Sequence, residues 1–252
     1  MRGVFIQNQV EFRLEVHGEE FYQGDSLPCI VSLKNRGNVA KSLDNLRLHL
    51  ACGVLNKVKS KARDAFTIIS SGTFPSPIEI SLERVESFPW TFALDKNCSI
   101  TDKGQSLYLL LGSAADTEAL NQLQLNVRPH GHIAEVFGVL ETSFQFMLKD
   151  VKSVGGRVIA KFKPSSARQF RTLNELLLSA RFDGEVLMLN YDFKVKTLEA
   201  GATSLEVKKS KKETEQRLAP EEYLFSGGFV HHSAVEAKIG DALKLVESKL
   251  LS

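Results

Sequence analysis

The chain has 252 residues, 43% hydrophobic and 25% charged, a composition that excludes wholesale disorder and fits a folded globular protein. With 32 basic against 30 acidic side chains the formal net charge is only +2, which gives no chain-wide field for collecting nucleic acid or anionic lipid, so no nucleic-acid partner is expected. Glu11 and Glu15 interrupt the amino-terminal stretch where a secretory core needs an unbroken apolar run, and no apolar run approaches about 18 residues. Cys29, Cys52 and Cys98 are far apart in apolar surroundings, which suits reduced thiols; a cytoplasmic chain without a membrane span is the expectation.

In chain order, the first half is dominated by alternation. Val10, Phe12, Leu14 and Val16 share one parity, and Leu27, Cys29, Val31 and Leu33 repeat it, as half-buried strands do. The same period recurs at Leu46, Leu48, Leu50 and Cys52, at Ile78, Ile80 and Leu82, at Leu107, Leu109 and Leu111, and at Leu123, Leu125 and Val127. Turn chemistry separates them: GD at 24, NRGN at 35 to 38, SSG at 70 to 72 and DKG at 102 to 104. Many short alternating strands at this spacing predict an antiparallel sandwich. Phe88, Trp90, Phe92 and Leu94 also fall on one strand face, and leaving four such groups in water is costly. The row is therefore read as sheet core, with Pro89 on the opposite parity marking an edge or bulged strand.

RPHG at 128 to 131 breaks the pattern. A linker helix is expected after it, carried by Ile133, Val136, Phe137 and Leu140, and strand signals then resume at Val158, Ala160 and Phe162, from Glu175 to Phe182, from Leu187 to Val195, and at Leu205 and Val207. Gly155-Gly156 and Gly227-Gly228 read as turns. KKSKK at 208 to 212 reads as a hairpin tip before the strand-like TEQRL. Ser233 followed by Glu236 has capping-box spacing, and Val235, Ile239, Ala242, Leu243, Val246 and Leu250 fall on one helical stripe, predicting an amphipathic helix from about 233 to 250. The expected domains are 1–129, 130–232 including the linker helix, and the terminal helix 233–252.

Two stretches carry a resemblance. GEEFYQGDSLPCIVSLKNRG resembles the arrestin-type signature in which an aromatic, a glycine and an acid precede the strand that opens the sandwich, and SFPWTFALDKNCSITDKGQSLYLLLGSAAD resembles the later strand pair of that fold. LQLNVRPH, a linker helix and then ELLLSARFDGEVLMLNYDF are similar to the bacterial sporulation-control branch of the arrestin-like proteins. The resemblance implies a mainly β chain of two tandem arrestin-like antiparallel sandwiches and a non-enzymatic regulatory or adaptor role through protein binding. An endosomal-sorting adaptor of the same fold, or an enzyme or small-ligand carrier using a cleft between domains, are the alternatives.

Signatures of catalysis are absent from the sequence: no G-x-S-x-G, no H-E-x-x-H, no P-loop, no Rossmann glycine pattern and no Cys-x-x-Cys. No catalytic residue, cofactor or metal is expected. His130 with His132, and His231 with His232, read as connector histidines, because neither pair brings a cysteine or a full ligand set with it. Candidate partner-binding residues are Val235, Ile239, Leu243, Val246 and Leu250 on the terminal helix, with self-association through it as one use, and Lys208, Lys209, Lys211 and Lys212. A solvated charge run is the plain reading of the lysines; phosphate or acidic-peptide recognition is the sharper one, since arrestin relatives use basic loops and hold a resting state with a carboxyl-terminal segment.

Overall fold

The computed structural model describes residues 1–113, 121–165, 167–200 and 205–247. The chain divides into two units, Met1–Arg128 and Pro129–Ser252. In the first, the period-two rows pair as antiparallel strands: β1 (Arg2–Gln7), β2 (Val10–Val16), β4 (Ser26–Asn35) and β9 (Val85–Ala93) form one sheet in the order β1-β2-β4-β9. The facing sheet runs β11-β10-β6-β7, from β6 (Leu46–Val54), β7 (Phe66–Thr73), β10 (Gln105–Ser113) and β11 (Asn121–Gln124). Two short pairs complete it, β3 (Phe21–Tyr22) parallel to β12 (Val127–Arg128), and β5 (Lys41–Leu43) with β8 (Ile78–Ile80). A five-residue helix, α1 (Leu55–Lys59), contributes no fully buried residue.

One core lies between the sheets. Leu14, Leu27, Val31 and Leu33 from one side and Leu48, Leu107, Leu109 and Leu111 from the other are completely shielded from water. The aromatic row joins it: Phe92 and Leu94 are buried, Phe88 and Trp90 are half-buried against the same cluster, and Phe74 meets Phe88 edge-on at 5.3 Å. Trp90 lies so close to Gly72 on β7 that a Cβ there would sit 2.2 Å from the indole. β9, which carries Pro89, is the edge strand of its sheet, where a missing N–H costs least. Leu82 departs from the sequence reading: β8 ends at Ile80, and Leu82 is exposed beyond it.

The second unit opens with α2 (Gly131–Thr142), followed by the five-stranded antiparallel sheet β13-β14-β15-β16-β17. Its strands are β13 (Met147–Val154), β14 (Arg157–Lys163), β15 (Leu173–Asp183), β16 (Val186–Ala200) and β17 (Leu205–Leu218), with a single 3-10 turn at Arg168–Phe170. β13 was not legible as a strand in the sequence. A bulge between Leu148 and Asp150 shifts its register, so its apolar residues do not alternate. Gly155 and Gly156 both have positive φ, at 56° and 71°, which a two-residue type I′ hairpin demands and glycine supplies without a steric penalty.

Among the described residues the layer facing this sheet is helical. Ile133, Val136, Phe137 and Leu140 of α2 are buried, and Phe137 meets Phe162 of β14 at 5.9 Å. After the short α3 (Pro220–Tyr223), α4 (His232–Leu243) packs against α2. Its cap differs from the sequence reading: His231 is the N-cap, its imidazole Nδ1 accepting from the Ala234 amide at 3.1 Å, while Glu236 accepts from Ser143 Oγ at 3.0 Å. The helix therefore begins at His232, ahead of Ser233, because a ring nitrogen serves the orphan amide as a hydroxyl would.

Candidate functional site

The lysine run lies within a strand, which corrects the hairpin-tip reading. β17 is continuous through Lys208–Lys212, paired residue by residue with β16, and the ladder closes at Ala200 opposite Leu205. The charges tolerate a strand because β17 is the edge of the sheet, where lysines are commonly found. Strand parity then divides the run. Lys212 lies on the helix-covered face, opposite Phe193, and donates from Nζ to the Leu245 carbonyl at 2.6 Å; Lys208 shares that parity. Lys209 and Lys211 point to the other face.

There they meet two lysines that the sequence reading passed over. Lys194 is directly opposite Lys211, and Lys196 directly opposite Lys209, giving two rungs of paired ammonium groups on the outer face of the β16–β17 ribbon. The signal was present in the sequence: Tyr191, Phe193 and Val195 alternate with Asp192, Lys194 and Lys196, so the second set had to face outward. Its partnership with the β17 lysines depends on register, which alternation alone does not give.

The two rungs differ in their counter-charges. Lys194 binds Glu175 of β15 at 2.6 Å, and Lys161 reaches the same carboxylate at 2.5 Å; these two bonds hold Glu175 below the ordinary carboxylate range. Lys211 is bonded to Glu213 at 2.5 Å and Asp192 at 2.9 Å, which hold its ammonium charged above the ordinary lysine range. Lys196 and Lys209 make no ion pair among the described residues. Like charges directly opposite across a ladder are destabilising, so this rung is a local cost. A concavity of about 460 Å³ opens beside it, lined by Asn174, Lys194, Lys196, Lys209, Lys211 and the strands between them. Beyond the lysine rungs the next pair is acidic, Asp192 opposite Glu213. What the arrangement can do chemically is seat an anion.

The terminal helix is shorter than the sequence reading of about 233 to 250: α4 ends at Leu243 and Val246 lies in the turn after it, and the stripe residues of both are buried within the second unit. Val235, Ile239 and Leu243 are fully shielded and Val246 nearly so, while Leu250 lies outside the described residues. Polar contacts anchor the helix as well: Gln216 Nε2 donates to the Lys238 carbonyl at 2.7 Å, and Lys238 pairs with Glu222 at 2.7 Å.

The histidines work as caps and contacts. His130 caps α2 by accepting from the His132 amide at 3.2 Å, and His232 meets Glu135 at 2.8 Å. Among the described residues no group of three or more His, Cys, Asp or Glu is placed to hold a metal ion. His49 Nδ1 and Ser71 Oγ are 2.6 Å apart as a cross-strand pair, and no carboxylate among the described residues bonds the ring; burial, with Arg47 nearby, lowers the imidazole's pKa. Burial pushes the Cys29 thiol up to about 11 and the Cys98 thiol up to about 12. No helix of the described residues is long and apolar enough to cross a membrane.

The chain is similar to the crystal structure of Spo0M, sporulation control protein, from Bacillus subtilis, with a TM-score of 0.64 over 95% of this chain and 100% of that one, at 15% identity. The fold is arrestin-like. At that identity the likeness speaks for the fold alone. A second structure, a beta-glucosidase from Listeria innocua in complex with isofagomine, aligns with a TM-score of 0.30 at 12% identity, over 50% of this chain and 17% of that one, and carries no argument. No family model matches the sequence, and no curated protein matches it.

Proposed function

We propose that this chain is a non-enzymatic, cytoplasmic regulatory or adaptor protein that acts by binding a partner protein, and that an acidic segment of the partner lies on the outer face of the β16–β17 ribbon. The observation that carries this reading is the Lys196–Lys209 rung, two opposed ammonium groups with no ion pair among the described residues, beside a concavity. A like-charge pair of this kind is relieved by an anion from outside the chain. The arrestin-like fold supports a regulatory role, since the similar structure is that of a sporulation control protein. Val235, Ile239, Leu243 and Val246 belong, on this reading, to the core that holds the ribbon's inner face in place; a partner reaches them only after α4 leaves.

The test is affinity purification with the intact chain and with Lys196→Glu/Lys209→Glu, partners being identified by mass spectrometry. A partner retained by the first, lost by the charge reversal and eluted by salt supports the proposal. Identical partner sets from both chains contradict it.

A further inference from the structure

The ribbon's outer face is an ordered series of charges. Along it the rungs read Lys196/Lys209, then Lys194/Lys211, then Asp192/Glu213. Successive same-face residues on a strand are about 6.7 Å apart, and an extended peptide running along the ribbon repeats its own same-face side chains at that same interval. The period of the site and the period of an extended ligand therefore coincide.

Resting on the proposed function, we infer that the ribbon reads the spacing of charge in an extended partner segment: acidic side chains at positions i and i+2, and a basic one at i+4. The residue at i meets Lys196 and Lys209, with which no carboxylate pairs among the described residues. The residue at i+2 meets Lys194 and Lys211, which already share Glu175, Asp192 and Glu213, and so adds less. A base at i+4 faces Asp192 and Glu213. Glu213 is exposed, and Lys211, which neutralises both acids, is drawn toward the ligand at i+2. Acidic residues at i and i+1 would point to opposite sides of an extended segment, so only one of them reaches the lysines. The acidic rung also argues against a nucleic acid, whose evenly spaced phosphates would lie against Asp192 and Glu213 after two favourable steps. Lysines suit this reader, because three rotatable donors on a flexible stem follow a carboxylate without demanding the planar fork of arginine.

The experiment uses the full chain and short labelled peptides of one composition, titrated by fluorescence anisotropy. One carries Glu at i and i+2 with Lys at i+4; the other carries Glu at i and i+1 with Lys at i+4. Exposed pairs are individually weak, so the expected preference for the first is about fivefold, lost as salt rises. Lys194→Gln/Lys211→Gln removes the preference, Lys196→Gln/Lys209→Gln weakens both peptides alike, and Lys208→Gln, a change on the opposite parity of the same strand, keeps the preference. Equal binding of the two peptides overturns the spacing inference and leaves the acidic-partner reading standing. Failure of both peptides to bind better than an uncharged one takes both readings down. A single-stranded oligonucleotide that binds more tightly than both peptides also overturns the inference.

Discussion

In the first unit the apolar face of each sheet is covered by another sheet, whereas in the second the apolar face of β13 to β17 is covered by α2 and α4. The strands themselves are alike, alternating with period two and buried on one side. The difference lies in what supplies the second layer, and it has a consequence for function. A sheet covered on one face by helices leaves its other face open, and here that face carries the ordered charges. In the first unit the aromatic row from Phe88 to Leu94 is taken up by the core, as its alternation requires, and the functional candidate is the charged face of the second.

Removing the helical layer has the largest expected effect on the second unit. Deleting residues 232–252 strips Val235, Ile239, Leu243 and Val246 from the core, at about 1.5–3 kcal/mol for each side chain, a sum comparable to a domain's whole stability. Hydrogen exchange is expected to show protection lost across β13 to β17 and kept in β2, β4, β6 and β10. Retention of protection in both units would show that the second sheet does not need this cover.

Single substitutions sharpen the contrast between a helix that is core and one that is surface. Ile239→Ala in α4 is expected to cost about 2–5 kcal/mol, and Val58→Ala in α1, which buries no residue fully, well under that. Chemical denaturation of the two variants measures the difference; equal losses would remove the distinction. In the first unit Trp90 packs so tightly on Gly72 of the facing sheet that a Cβ there would sit 2.2 Å from the indole, so Gly72→Ala is expected to cost about 1–3 kcal/mol through overpacking. Pairing it with Trp90→Phe, which shrinks the opposing ring, recovers part of that loss if the contact is the cause.

The smallest expected effect concerns the thiols. Cys29 and Cys98 are raised from about 9 to about 11 and about 12, with burial the largest cause. A raised folded pKa means the native state keeps protons that the unfolded chain gives up. The associated stability is therefore complete below about pH 9 and declines as pH rises toward 11 and 12. Both thiols should resist iodoacetamide at pH 8 in the native chain and react once it is unfolded. Rapid native labelling at either position would contradict their burial.

Much of the fold was legible because burial imposes a period. The rows at Val10 to Val16, Leu27 to Leu33 and Leu107 to Leu111 face the core as their alternation requires, and the stripe from Val235 to Leu243 is covered as an amphipathic helix must be. What stayed hidden depends on pairing. Alternation put Lys194 and Lys196 on an outer face, yet only the register of β16 against β17 sets them opposite Lys211 and Lys209. The lysine run resembled a turn because charge marks solvent exposure, and an edge strand satisfies the same condition. His231 displaced Ser233 as the cap because a well-placed ring nitrogen competes with a hydroxyl for the same amide.

Whether the outer face of the ribbon receives an acidic segment is read by mapping backbone amide shifts of the full chain by NMR while an acidic peptide is added. Shifts concentrated at Lys194 to Lys196 and Lys209 to Lys211, with α4 unchanged, are the expected result. Shifts confined to α4, to the first unit, or absent altogether would contradict it.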